Sequence, residues 1–370
     1  MRRRCLIGAL AVAGALSSVG CGADDDGAGR PSVGPLPPDF VGVVADDFVA
    51  GDTEYKRRTA ARMDDSGVGL VRQSFDWALL EPAPGEFNPE GYDDFVRQLA
   101  LRRIRALPVL VNPPPHQSRA PAAGAERGTY PPRSFDEFGE FAARLVRRYG
   151  PGGDFWAAEP SLPRLPIRSW QVWNEPSLPV YWRPQPDAAA YARLLRVTAA
   201  AIRRVDAGAE IVSAGIPESR LGVSFSEYVN DMYDAGAGPT VDALAIHPYA
   251  RDADETLAAV EATRELLRRR GFDTPIWVTE LGWADGGPPS PFTVGGRGQA
   301  NRIRQVLPAL AAGRRRLGLR GVVYFSWQDA PGVYEGGRDF FGLHTGLNYV
   351  DGTPKPAYDA FVAAVRELSR

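Results

Sequence analysis

The chain has 370 residues, of which 44% are apolar, 24% charged and 10% aromatic. That balance excludes disorder for most of the length and suits either two ordinary domains or one large α/β barrel. The formal charge is −2 and nearly every cation is an arginine; runs such as Arg268–Arg270 and Arg314–Arg316 fall where helices are expected to end, so no basic block is left over for nucleic acid.

Residues 1–20 combine Arg2, Arg3 and Arg4 with the apolar stretch CLIGALAVAGAL and small residues before Cys21, the pattern of an export signal too short to span a bilayer as a permanent helix. SSVGC resembles a bacterial lipoprotein signal with Cys21 as the acylated residue, although Ser18 stands where that pattern usually has Leu; ordinary secretion is the alternative. Without residues 1–20, Cys21 is the only cysteine and no disulfide framework is possible. The expected location is outside the cell, at its surface if Cys21 carries lipid, and the lipid would be the only membrane contact. Residues 21–39, rich in Gly, Pro and Asp, read as a flexible tether, and 40–370 as the folded domain.

From there eight β-branched runs alternate with helical ones: 41–45, 69–75, 106–112, 169–174, 210–216, 242–249, 275–283 and 321–327. Amphipathic spacing predicts helices between them, for example over 134–149, where Phe135, Phe138, Ala142, Leu145 and Tyr149 recur at three- and four-residue steps. Ser134 with Glu137, and Ser224 with Glu227, have the spacing of capping boxes. Eight β-then-α units imply a parallel sheet, and eight is the number that closes into a (β/α)8 TIM barrel; a doubly wound open sheet is the alternative. Long connections at 113–132, 284–297 and 328–349 each follow a strand, so in a barrel they would gather at the C-terminal face.

Polar residues collect at those same strand ends: Arg72, Asn112, Asn174 with Glu175, His247 with Tyr249, Glu280, and Trp327 with Gln328. A barrel would bring Glu175 and Glu280 together across its mouth. Two facing carboxylates, one protonated and one ionised, are what glycosidic bond cleavage requires. Arg72 and Tyr249 are expected to keep Glu280 ionised, while Trp173 and the Pro176 turn would help leave Glu175 protonated.

The stretches WNEP, TELGW, VRQSFDW, HPY and FSW, in this order of strands, resemble the clan A glycoside hydrolases, the retaining (β/α)8 superfamily, and the spacer 75–96 and tail 346–361 are similar to its families 39 and 5. The resemblance implies that Glu175 is the general acid/base and Glu280 the nucleophile of a retaining, β-glycoside-cleaving O-glycosyl hydrolase acting on an oligo- or polysaccharide. It further implies that Asn174 bonds the 2-hydroxyl of the reacting sugar, that Arg72 and Tyr249 hold the nucleophile, that His247 lines the sugar subsite, and that Trp327 forms its floor. His116, in NPPPHQ, is a weaker substrate-binding candidate. Trp77, Trp173 and Trp283 read as packing. With three His, no HExxH and no Cys pair, no metal ligation is expected; no GxGxxG or P-loop calls for a cofactor, and a monomer is expected. A non-catalytic carbohydrate-binding lipoprotein on a glycosidase scaffold, or a transglycosidase using the same residues, are the alternatives.

Overall fold

The β-branched runs become strands in the computed structural model, which describes residues 35–121, 128–331 and 339–369. The leader, Cys21 and the tether up to residue 34 lie outside those residues. In chain order the elements are β1 (Val41–Val44), α1 (Thr53–Asp65), β2 (Leu70–Asp76), α2 (Trp77–Leu80), α3 (Glu90–Leu101), β3 (Arg105–Val111), α4 (Phe135–Tyr149), α5 (Asp154–Ala158), β4 (Ser169–Val172), α6 (Ala188–Val205), β5 (Glu210–Val212), β6 (Ile216–Pro217), α7 (Phe225–Asp234), β7 (Leu244–His247), α8 (Ala253–Arg269), β8 (Ile276–Val278), α9 (Gly295–Leu317), β9 (Leu319–Tyr324) and α10 (Pro356–Leu368).

The strands form one curled, wholly parallel sheet in the order β5-β4-β3-β2-β1-β9-β8-β7-β6. Its two end strands, β5 and β6, are halves of a single run: β5 pairs with β4, β6 pairs with β7, and Val212 bridges in parallel to Ala243 at the seam. The predicted fifth strand is therefore present but broken at Ser213–Gly215. Two features account for the break. Ser213 turns its hydroxyl to the backbone N–H of Ala245 at 2.9 Å, and Gly215 lies so close under His247 that a Cβ there would stand 1.9 Å from Nε2.

Alternation along the strands divides the buried side chains into two sets. Outward residues pack with the helices into the main core. Inward ones, Val44, Leu70, Leu107, Val212, Ala243, Ala245, Trp277 and Val323, form a separate apolar plug inside the curl. Two residues further along β2, β7 and β8 the inward positions become Arg72, His247 and Thr279, all buried. The apolar plug thus supports a polar layer at the C-terminal strand ends.

Helix ends follow the sequence in one case and depart from it in another. Ser134 accepts from the N–H of Glu137 at 3.2 Å and caps α4 as expected. Ser224 makes no such bond; its hydroxyl reaches only the Glu227 carboxylate at 3.5 Å, and the Phe225 N–H is taken by Glu218 instead, so the second capping box is not formed. The folded body starts by Asp39, which is buried and pairs with Arg320 at 2.9 Å.

Candidate active site

Glu175 and Glu280 lie just beyond β4 and β8 and are both buried, at 8% and 7% exposure. A carboxylate oxygen from each, together with a ring nitrogen of His247, lie within 4.8 Å of one another. The turn that carries Glu175 is conformationally demanding: Trp173 and Glu175 both adopt left-handed backbone, at φ 75° and 44°. For residues with a Cβ this conformation costs about 1–2 kcal/mol each. Pinning bonds hold it, from the Trp173 N–H to Leu110 O at 3.0 Å and from the Glu175 N–H to Gly215 O at 3.1 Å.

The two carboxylates have different partners. Arg72 donates through Nη1 to Glu280 Oε1 at 2.7 Å, and the Tyr249 hydroxyl donates to Oε2 at 2.8 Å. Among the described residues the Glu175 carboxylate bonds His247, whose Nδ1 is 2.7 Å from Oε1. Burial pushes the Glu175 carboxyl above its ordinary value, with the His247 bond opposing it and the Glu280 charge adding to it. Burial acts on Glu280 too, but the field of the His247 imidazole, whose Nδ1 stands 3.5 Å from Oε2, the Arg72 charge and the bonds from Tyr249 and Arg72 outweigh it and hold that carboxyl below its ordinary value. The two carboxyls are therefore shifted in opposite directions, Glu175 toward holding a proton and Glu280 toward giving it up.

The remaining guanidinium bonds of Arg72 organise the layer: Nε to Gln171 Oε1 and Nη2 to Asn174 Oδ1, both at 2.7 Å. Because the carbonyl oxygen of Asn174 faces Arg72, its amide N–H groups are directed elsewhere, and Asn174 is only half-buried. His247, expected to line the sugar subsite, is instead fully buried and takes Thr279 Oγ1 on Nε2 at 3.0 Å; it bridges the carboxylates from beneath. Trp327, expected as the floor, is 2% exposed and faces away, between the Arg62 guanidinium and Tyr358. Phe325 stands at the cleft in its place, half-buried and edge-on to Tyr249, continuing into Phe292 and Phe341. His116 is half-buried with Nε2 unbonded, and no bond joins it to the carboxylate pair among the described residues. Asn112 is committed to the loop after β3, bonding Asp76 at 2.7 Å and Thr129 at 2.9 Å beside a cavity of about 280 Å³. Trp77, Trp173 and Trp283 are buried packing residues.

Sequence reasoning missed Asp46. It follows β1 directly, where Ala45 N–H bonds Arg72 O at 3.2 Å, and its carboxylate accepts from Ser74 at 3.3 Å. Although its side chain is exposed to solvent, desolvation, opposed by the Arg72 charge and aided by those of Glu280 and Asp47, raises its carboxyl above the ordinary value. The signal was the same as at the other strand ends: the first polar residue past the strand.

Glu175, His247 and Glu280 are close enough to hold a metal ion. Their atoms are already engaged, however: both imidazole nitrogens and both Glu280 oxygens have partners, and one of these is a guanidinium that would repel a second cation. The donor set fits proton transfer and nucleophilic attack better than metal ligation.

A curled parallel sheet with two carboxylates of opposite tendency at its C-terminal strand ends defines the class: the chain is similar to the clan A glycoside hydrolases, family 39 among them. The profile of the family described as glycosyl hydrolase catalytic core matches residues 167–313, less than half of the chain but including Asn174, Glu175, His247 and Glu280. Among solved structures, the fold is similar to a family 39 glycoside hydrolase from the gut symbiont Bacteroides cellulosilyticus WH2, with a TM-score of 0.64 and 21% identity over 90% of this chain and 64% of that one. It is also similar to a monomeric beta-xylosidase from Caulobacter crescentus CB15, with a TM-score of 0.61 and 17% identity over 89% and 68% of the two chains. An exo-beta-1,4-mannosidase, Op5Man5 from Opitutaceae bacterium strain TAV5, matches with a TM-score of 0.60 and 18% identity over 89% and 59%. The chain thus spans less than two thirds of the length of the first and third of these structures, and at such identities the likeness is one of fold. No curated protein is a recognisable sequence relative.

Proposed function

We propose that the protein is a retaining glycoside hydrolase that cleaves β-linked O-glycosides of an oligo- or polysaccharide on a (β/α)8 barrel, with the run 210–217 as the strand that completes it. The observation that carries this reading is the carboxylate pair: two buried acids with opposite protonation tendencies and oxygens within 4.8 Å. Retaining glycosidases hold their carboxyl groups about 5–5.5 Å apart and inverting ones about 6.5–9.5 Å, and a nearest approach of their oxygens within 4.8 Å supports the retaining reading.

In this mechanism an ionised Glu280 oxygen attacks the anomeric carbon as Glu175 protonates the departing oxygen, giving a covalent glycosyl-enzyme. Glu175, now ionised, takes a proton from water, whose oxygen attacks the anomeric carbon and frees Glu280. Arg72 and Tyr249 keep Glu280 ionised between turnovers and draw charge back from it as it leaves. The Asn174 amide, turned by Arg72, offers N–H donors for the sugar 2-hydroxyl, a contact that strengthens in the transition state. Phe325, rather than Trp327, supplies the apolar floor. We further propose export, with Cys21 as the lipid-bearing residue and residues 21–39 as the tether.

Azide rescue of alanine variants tests the role assignment. Glu175→Ala should still form the glycosyl-enzyme from an aryl glycoside whose leaving group needs no proton, and azide should restore its breakdown, giving the β-glycosyl azide. Glu280→Ala should give the α-azide. The swapped pattern would exchange the roles. Equal loss without rescue in either would favour a non-catalytic carbohydrate-binding protein, and transfer to sugar acceptors in preference to water would favour a transglycosidase.

A further inference from the structure

Beneath the two carboxylates the buried polar side chains close into a ring. Arg72 Nε donates to Gln171 Oε1 at 2.7 Å; Gln171 Nε2 donates to Ser213 O at 3.0 Å and to Thr279 Oγ1 at 3.4 Å. Thr279 Oγ1 lies 3.0 Å from His247 Nε2, and His247 Nδ1 lies 2.7 Å from Glu175 Oε1 and 3.5 Å from Glu280 Oε2. Glu280 Oε1 returns to Arg72. Gln171, Thr279 and His247 are all 0% exposed.

The ring has a direction. A guanidinium can only donate and a peptide carbonyl can only accept, so the Gln171 amide has one orientation, oxygen to Arg72 and nitrogen to Ser213 and Thr279. The Thr279 oxygen receives that N–H, and among the described residues His247 Nε2 is the one acceptor its own proton can reach, so the hydroxyl donates there. With Nε2 an acceptor, the neutral imidazole carries its proton on Nδ1, the nitrogen that faces the carboxylates.

We infer that Gln171 and Thr279 are positioning residues that lock His247 as a donor to Glu175 Oε1, so that the acid proton of Glu175 is held on Oε2, available to the departing oxygen. This rests on the reading of Glu175 as the acid. With the opposite tautomer, Nδ1 would present a lone pair to Glu175, and the carboxyl proton would turn toward the ring instead of the substrate. In the locked arrangement the proton leaves Oε2 for the glycosidic oxygen in the first step and is replaced on Oε2 from water in the second. His247 keeps its own proton throughout, and the Oε1 bond holds the carboxylate in place for both steps.

Nitrogen-15 NMR of histidine-labelled protein reads the tautomer without any substrate, and with only three histidines the His247 signals can be assigned by comparison with His116→Gln and His344→Gln. Wild type should show His247 protonated at Nδ1 and bare at Nε2. Thr279→Ser, which keeps the hydroxyl, should preserve this; Thr279→Val, which keeps the shape, should give mixed tautomers. On glycosides with poor leaving groups Thr279→Val should lose about 10-fold or more in kcat/KM, with little loss on dinitrophenyl glycosides that need no acid, and Thr279→Ser should recover it. A wild-type His247 protonated at Nε2, or at both nitrogens, would overturn the inference, as would equal losses on both leaving-group classes. If wild type turns over no glycoside, it is the functional reading that fails, and the tautomer result still decides the lock.

Discussion

At the residue scale, Glu175 and Glu280 experience the same burial with opposite results because only one of them is given a guanidinium and a phenol. The linkage signs follow. The folded value of Glu280 is depressed, so its contribution to stability is present above the ordinary carboxylate range and is lost as pH falls through the folded value. The folded value of Glu175 is raised, so its contribution is present below that range and is lost as pH rises through the folded value. Glu280→Gln should therefore lower Tm at pH 7, since it leaves Arg72 buried without its counter-charge, at a cost of about 3 kcal/mol. Glu175→Gln should raise Tm at pH 7, and the gain should vanish in acid; calorimetry from pH 4 to 8 checks both. Tyr249→Phe removes one bond that favours ionised Glu280, so, with Glu280 in its proposed role, the acidic limb of kcat/KM should move to higher pH. The grouping of the carboxylate pair with Arg72, Asn174 and Tyr249 was legible from their places within a strand or just past its end, and not from alternation, since the neighbours Asn174 and Glu175, and Thr279 and Glu280, all turn to the same layer. Trp327 and His247 were misjudged for different reasons. Past Tyr324 the chain leaves strand geometry and Phe325 takes the inward place, while at β7 the glycine at 215 lets the imidazole sink below the cleft floor.

At the scale of elements, eight predicted strands appear where expected, and only the fifth is divided. Its apolar periodicity continues through Ser213–Gly215, so nothing in the pattern announces that Ser213 will bond Ala245 or that His247 will occupy the space over Gly215. Gly215→Ala should consequently displace His247 and abolish turnover, while the far-ultraviolet circular dichroism of the helices stays near that of wild type. Caps show the complementary lesson. Ser134→Ala should cost about 1 kcal/mol in urea unfolding, because its oxygen accepts the Glu137 N–H. Ser224→Ala should be nearly neutral, because Glu218, seven residues before Phe225, has taken the cap. The spacing is the same in both stretches; the outcome depends on a competing acceptor that spacing alone does not reveal.

At the scale of the molecule, the loops after β8 and β9 are fixed to α10 by one buried cation. Lys355, 1% exposed, bonds Asp285 at 2.6 Å and Asp329 at 2.8 Å. Lys355→Met would leave two acids facing each other and should cost about 3–5 kcal/mol, seen as a fall in the urea midpoint. The tether makes a separate prediction: Cys21→Ser should move the protein from the membrane fraction to the soluble one with unchanged kcat/KM, whereas an already soluble wild type would point to ordinary secretion. No helix among the described residues is long and apolar enough to cross a membrane. In the proposed mechanism the Glu280 carboxylate forms a bond to the sugar. Incubation with a panel of 2-deoxy-2-fluoro β-glycosides of activated leaving groups, followed by mass spectrometry of peptides, tests it most directly. The account predicts a single added fluoroglycosyl mass on the peptide carrying Glu280 and none in Glu280→Gln; the same mass on Glu175, or turnover of glycosides with inversion at the anomeric carbon, would contradict it.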